Sequence, residues 1–129
     1  MANPNIVSVA TILGGNAGWN LSTGLTTTLV TVTAEYVVKI NRIVCTNVHA
    51  TDAANLDLFV SGMGAGTTGV TTTGADSDVY LAEVISVPAN ASLVVSDTPI
   101  YLMEGDILKG GASAASSLDL FITYETLID

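Results

Sequence analysis

Histidine and cysteine, the side chains that most often carry catalysis or bind metals, occur once each among the 129 residues, as His49 and Cys45. Zinc sites built from three histidines need several imidazoles to converge, so a single histidine excludes them. Cys45 lies inside an apolar run, and we expect a buried, inert thiol rather than a nucleophile. We expect His49 to be an exposed loop residue, because a turn-forming segment follows it at 50–52.

Other patterns that could carry chemistry are incomplete. Residues 62–66 resemble a phosphate loop but lack its Gly-Lys-Ser/Thr ending. Asp76 and Asp78 have the alternating spacing of calcium ligands without the glycine and distal glutamate of an EF-hand, so a weak surface calcium site there stays an open alternative. No Gly-x-Ser-x-Gly elbow presents a serine nucleophile. We therefore predict that the chain is not an enzyme, has no catalytic residues and uses no cofactor.

Charge restricts the expected partners. Three basic residues stand against twelve acidic ones, which gives a net charge of −9 and an isoelectric point near 4.1. Binding to nucleic-acid phosphates or anionic membranes requires clustered Lys and Arg, so neither is an expected partner. No apolar run approaches the roughly 20 residues of a membrane helix. The first residues lack the basic start of a signal peptide, so we expect synthesis in the cytoplasm.

The elements that must position these residues are strands, because hydrophobicity alternates with a period of two. From residue 117 onward, Leu118, Leu120 and Ile122 share one face, with Asp119 and Phe121 on the other. Similar patterns predict strands over residues 6–12, 25–33, 36–48, 55–60, 79–87, 92–96, 99–102, 107–110 and 117–125. Short turn signals separate these runs, among them the Gly-rich stretches at 14–16 and 110–111.

About eight or nine short strands with tight turns are typical of a two-sheet sandwich, a jelly roll or a small barrel. We predict one all-β domain over residues 1–129, a single-domain antiparallel β-sandwich that is jelly-roll-like. In the run 36–48, Val44 and Val48 are expected on the core side and Asn47 opposite. Arg42 falls on the core side as well, which indicates a bend or bulge there.

Two five-residue segments are nearly identical: Asn-Leu-Asp-Leu-Phe at 55–59 and Ser-Leu-Asp-Leu-Phe at 117–121. They indicate either an internal repeat or two strands of one sandwich with similar environments, and two copies do not make a solenoid. In both segments the leucines are expected in the core. The aspartate and the phenylalanine of each segment are expected on a half-exposed face.

Two segments and one aromatic residue are candidates for contact with other molecules. Residues 1–12 are apolar and lack the charges that protect a free strand edge, so we expect an N-terminal edge strand or arm. We expect residues 61–77 to form a long Gly/Thr-rich loop. The sole tryptophan either anchors a partner or caps one end of the core, and both alternatives stay open. The candidate interface residues are Asn5, Ile6, Val7, Trp19 and Met63.

Several short segments carry a resemblance that covers most of the chain apart from residues 61–77. They are MANPNIV at 1–7, KINRIVCTNV at 39–48 with its following Thr-Asp-Ala-Ala turn, VPANASLVV at 87–95, IYLMEGD at 100–106, Ala-Ser-Ala at 112–114 and the closing Tyr-Glu at 124–125. Together they resemble small virion structural proteins of tailed bacteriophages, particularly those that infect marine cyanobacteria.

The resemblance implies a β-sandwich that serves as a capsid cement or decoration protein on the outside of the virion head. It implies the major capsid protein and further copies of this chain as partners. A homotrimer is the natural arrangement, because icosahedral lattices offer local three-fold positions. The resemblance brings no catalytic residues. The alternatives are a neck, tail or fibre module in low copy number, or a free glycan-binding or adhesion module.

Overall fold

The computed structural model describes residues 11–62 and 78–128, which form nine strands and no helix. The strands are β1 (Thr11–Asn20), β2 (Thr28–Thr31), β3 (Tyr36–Asn47), β4 (Ala54–Ser61), β5 (Val79–Val87), β6 (Ser92–Ser96), β7 (Ile100–Leu102), β8 (Ile107–Ala112) and β9 (Leu118–Ile128). The all-β prediction is confirmed. Within the described ranges, no helix is long and apolar enough to cross a membrane.

The strands form two antiparallel sheets. Sheet A has the order β1-β9-β3-β6, with β7 also paired to β3, and sheet B has the order β2-β8-β4-β5. The pairs β1/β9, β2/β8, β3/β6 and β4/β5 are those of one long antiparallel ribbon that has been rolled over on itself. This is the strand order of a jelly roll, with β7 as an addition. The predicted antiparallel, jelly-roll-like sandwich is confirmed.

The hydrophobic core lies between the two sheets and is built by alternate residues of each strand. Leu118, Leu120 and Ile122 of β9 are fully buried in it, as predicted, and Leu56 and Leu58 of β4 are buried opposite them. Burying one such side chain contributes roughly 1.5–3 kcal/mol. Period-two patterning therefore explains why these segments are strands and which face of each strand is buried.

Strand β3 has an irregularity where the sequence predicted one, between Ile40 and Arg42. Beyond it the buried side chains are those of Ile43, Cys45 and Asn47. The predicted faces are wrong there, because Val44 is half-buried and Val48 is 49% exposed. An extra residue in one strand shifts the alternation by one position, so every side chain after the bulge changes sides.

The turns predicted at 14–16 and 110–111 are also wrong, because these residues lie inside β1 and β8. Their glycines permit close approach rather than chain reversal. A Cβ on Gly15 would lie 2.8 Å from the ring of Tyr124, and a Cβ on Gly111 would lie 2.8 Å from two carbonyl oxygens in the loop between β1 and β2. Glycine inside a strand often marks such a contact.

The prediction for the two similar segments holds in β9 and fails in β4. Phe121 is 47% exposed, but Asp57 and Phe59 are only 8% and 3% exposed. The Asp57 carboxylate accepts a hydrogen bond of 2.8 Å from the backbone N–H of Val84, and the Phe59 ring lies 5.0 Å from the ring of Tyr80. Neighbouring β5 therefore supplies partners that the sequence of β4 alone does not reveal.

Candidate interaction surface

The four edges of the two sheets differ in how they are protected against pairing with another chain. Short length, bulges and charges are the usual protective features. β2 has four residues and a register shift, β5 has two register shifts and carries Glu83, and β6 and β7 are short. In contrast, β1 has ten residues, pairs with β9 without a shift and contains neither a charge nor a proline.

An apolar groove lies beside β1, where the two sheets end next to each other. Its volume is about 340 Å³, and it is lined by β1, β2, the start of β3 and the end of β9. Its lining includes Trp19, Leu29, Tyr36 and Tyr124, and no charged side chain lines it. We use the name β1 surface for the free edge of β1 together with this groove.

The β1 surface contains one of the five predicted interface residues. Trp19 is near the end of β1, half-buried against the core, and it lines the groove. It also borders a shallow hollow on the other side of the strand, next to Phe121. The remaining four predicted interface residues, Asn5, Ile6, Val7 and Met63, lie outside the described residues.

The predicted edge segment and calcium pair are only partly described. An edge strand is present in sheet A, but its described part is Thr11–Asn20, and residues 1–10 of the predicted segment lie outside the described residues. Asp78 is exposed immediately before β5, whereas Asp76 lies outside the described residues. In the described ranges, no group of three or more His, Cys, Asp or Glu side chains could hold a metal ion.

Sequence reasoning missed the exposure of several apolar side chains. Ile12 and Leu13 of β1 are 57% and 53% exposed, and Val79 and Val84 of β5 are 51% and 61% exposed. The apolar residues of β5 fall on both of its faces, which favours a strand buried on both sides. Position at a sheet edge overrides this pattern, and no local signal in the sequence reports that position.

His49 and Asn47 together hold the loop between β3 and β4. The Nδ1 atom of His49 accepts hydrogen bonds from the backbone N–H groups of Thr51 at 3.2 Å and Asp52 at 3.0 Å. Asn47 is fully buried and bonds the same loop through its side chain. The predicted loop position of His49 is confirmed, but the side chain is half-buried rather than exposed, and its ring organises a turn.

Two further titratable groups are buried. The thiol of Cys45 is fully buried, as predicted, and burial together with the charge of Asp119 raises its pKa to about 11. Burial also raises the pKa of Asp106, although its carboxylate accepts a hydrogen bond of 2.9 Å from the backbone N–H of Met103. This hydrogen bond spans the turn between β7 and β8.

Comparisons with protein-family models and with curated protein sequences find no match to this chain. The resemblance to virion proteins therefore stays a prediction from short segments. The physical features are an acidic jelly roll, a buried unreactive thiol and one uncharged, apolar surface beside an unprotected strand edge. This arrangement is suited to contact with another protein surface.

Proposed function

We propose that this chain is a non-enzymatic structural protein of a tailed-phage particle, a cement or decoration protein that binds the outside of the head and stabilises the shell. The observation that carries the proposal is the β1 surface, an unprotected ten-residue edge and an uncharged groove on a chain with a net charge of −9. Surfaces of this kind mark protein–protein contacts. The segment resemblance supplies the particle as the context.

The physical properties of the chain support this role. A net charge of −9 keeps free copies soluble and discourages binding to packaged DNA. The single cysteine is buried, so the fold needs no disulfide. A protein that binds the assembled lattice and not its loose subunits stabilises the lattice by mass action. Its partners are the major capsid protein and further copies of itself, arranged as a homotrimer at local three-fold positions.

The first test is the copy number of the chain relative to the major capsid subunit in purified particles, measured by quantitative mass spectrometry. A ratio of the same order as the capsid subunit supports a cement or decoration protein bound across the shell. A small fixed number per particle moves the chain to the neck, tail or fibre. Absence from particles overturns the virion role and leaves a free glycan-binding or adhesion module, which a glycan array then tests.

A second test measures the stabilising effect itself. Purified chain is added to heads that lack it, and the temperature at which the shell opens is followed by calorimetry. We expect the opening temperature to rise with concentration and then saturate, as site binding requires. Loose capsid subunits are the control, because a decoration protein leaves their melting unchanged. An opening temperature that does not change at saturating concentration contradicts the proposal.

A further inference from the structure

We propose that the β1 surface is where copies of this chain bind one another. The proposal rests on the proposed function for the self-association it assumes, and it adds the site and the occupant, which is a second copy. Alternate residues of an edge strand direct their N–H and C=O groups away from the sheet. A strand of another copy satisfies these groups by extending the sheet. No described strand pairs with the free edge of β1.

The charge distribution indicates a second copy as the occupant. Two copies carry −9 each, so they associate best where neither places an uncompensated acid. β1 has no charge, and of the two acids nearest to it on β9 only Glu125 stands opposite a basic residue. Asp119 accepts a hydrogen bond of 2.7 Å from Asn20, and Glu125 lies directly opposite Lys39 in the register of β9 with β3. The β1 surface therefore offers little electrostatic attraction to a cationic partner.

The size of the surface is sufficient for a specific contact. Ten strand residues at about 3.4 Å each span about 34 Å, and the sheet spacing plus one side-chain layer gives a width of about 15 Å, so the surface covers roughly 500 Å² per copy. A contact that covers this surface on one copy and an equal area on the next buries about 1,000 Å², the lower bound for a specific interface. Ile12 and Leu13, which are 57% and 53% exposed, add apolar contact at one end.

Gly14 gives a variant that tests the surface without disturbing the fold. A Cβ at Gly14 would meet no atom within 4 Å, so a side chain fits there and projects from the edge region. In Gly14→Lys, a bulky ammonium group stands on the edge strand itself, opposite Glu125 in the register of β1 with β9. We expect the dissociation constant for self-association to rise about tenfold or more, since a lysine on an edge strand opposes pairing with a further strand. The measurement is sedimentation velocity of the full-length chain over a dilution series.

The matched control is Val94→Lys. Val94 is 44% exposed on β6 at the opposite edge of the same sheet, and the substitution makes the same change in net charge. We expect it to leave self-association unchanged. If Gly14→Lys lowers the folded fraction, Asn16→Lys replaces it, because Asn16 is exposed on the same strand. A loss of association in Val94→Lys with none in the β1 variant overturns the proposal, and so does a wild-type chain that stays monomeric at high micromolar concentration.

The fluorescence of Trp19 reports on the groove directly, because it is the sole tryptophan and lines the groove. We expect its emission to shift to longer wavelength on dilution, in step with dissociation, since separation of the copies exposes the groove to water. Dissociation with constant emission places the contact elsewhere and overturns the proposal. The outcome of this test does not depend on the virion role. If the chain associates through β1 but is absent from particles, the proposed function is wrong and the assignment of the β1 surface to self-association stands.

Discussion

Asn47 makes three hydrogen bonds in a fully buried position, and we predict that its loss strongly destabilises the fold. Its side-chain Nδ2 donates to the carbonyl oxygens of Asp52 and Val87, both at 2.9 Å. Its Oδ1 accepts from the backbone N–H of His49 at 2.8 Å. The amide thus joins the end of β3, the loop before β4 and the end of β5, and Asn47 is 0% exposed.

The magnitude follows from the groups that Asn47→Ala leaves without partners. Two carbonyl groups and one N–H lose their bonds, of which the bond to Val87 is buried and the bonds to Asp52 and His49 are partly buried. A buried unsatisfied group costs about 1–3 kcal/mol, and a partly buried one costs less because water can replace the bond. The expected loss in the free energy of unfolding is about 2–3 kcal/mol, a large part of the 5–15 kcal/mol typical of a domain. In urea denaturation this appears as a midpoint lowered by about 1 M or more, with an unchanged slope.

Two further variants separate the hydrogen bonds from other effects. Asn20→Ala is the control, because Asn20 is exposed and makes a single side-chain bond to Asp119, so we expect a loss below about 0.5 kcal/mol. Asn47→Asp keeps the shape and the acceptor but loses both donors. Burial favours its protonated form, which donates one bond, so its deficit is smaller at pH 4 than at pH 7. A loss below 1 kcal/mol in Asn47→Ala would refute the reasoning.

Four other substitutions test the close contacts and the buried titratable groups. Gly111→Ala places a Cβ 2.8 Å from two backbone carbonyl oxygens, so we expect a loss of about 1–3 kcal/mol in urea denaturation, whereas Gly14→Ala meets no atom and is neutral or slightly stabilising. Because burial raises the pKa of Cys45 to about 11, the stability that its neutral thiol contributes is fully present below pH 9 and is lost as the pH rises towards 11. This loss is on the order of 2 kcal/mol, and thermal melts of Cys45→Ala lack it. Burial raises the pKa of Asp106, so the contribution of this carboxyl group to stability falls as the pH rises above the ordinary pKa of an aspartate. Asp106→Asn keeps an acceptor for the backbone N–H of Met103. We expect this variant to melt at a higher temperature than the wild type at pH 7 but not at pH 3.

The local pattern of the sequence accounts for most of the strands. The predicted runs at 79–87 and 92–96 coincide with β5 and β6, and the misplaced Arg42 correctly indicated the irregularity in β3. The buried leucines of β4 and β9 also follow from alternation, because a strand places every second side chain on the same face. Composition likewise limits metal and nucleophilic chemistry, since one histidine and one cysteine are properties of the chain.

Only the tertiary structure decided which strands are edges and which faces are buried beyond an irregularity. β1 continues through Gly14 and Gly15 because it pairs with β9, a strand from the far end of the chain. That pairing leaves the other edge of β1 at the border of the sheet. The buried Asp57 depends in the same way on Val84 of β5. Edge position, register and the partners of buried polar groups arise from contacts between residues distant in sequence. Local periodicity does not contain this information, so the β1 surface emerges only when the two sheets are assembled.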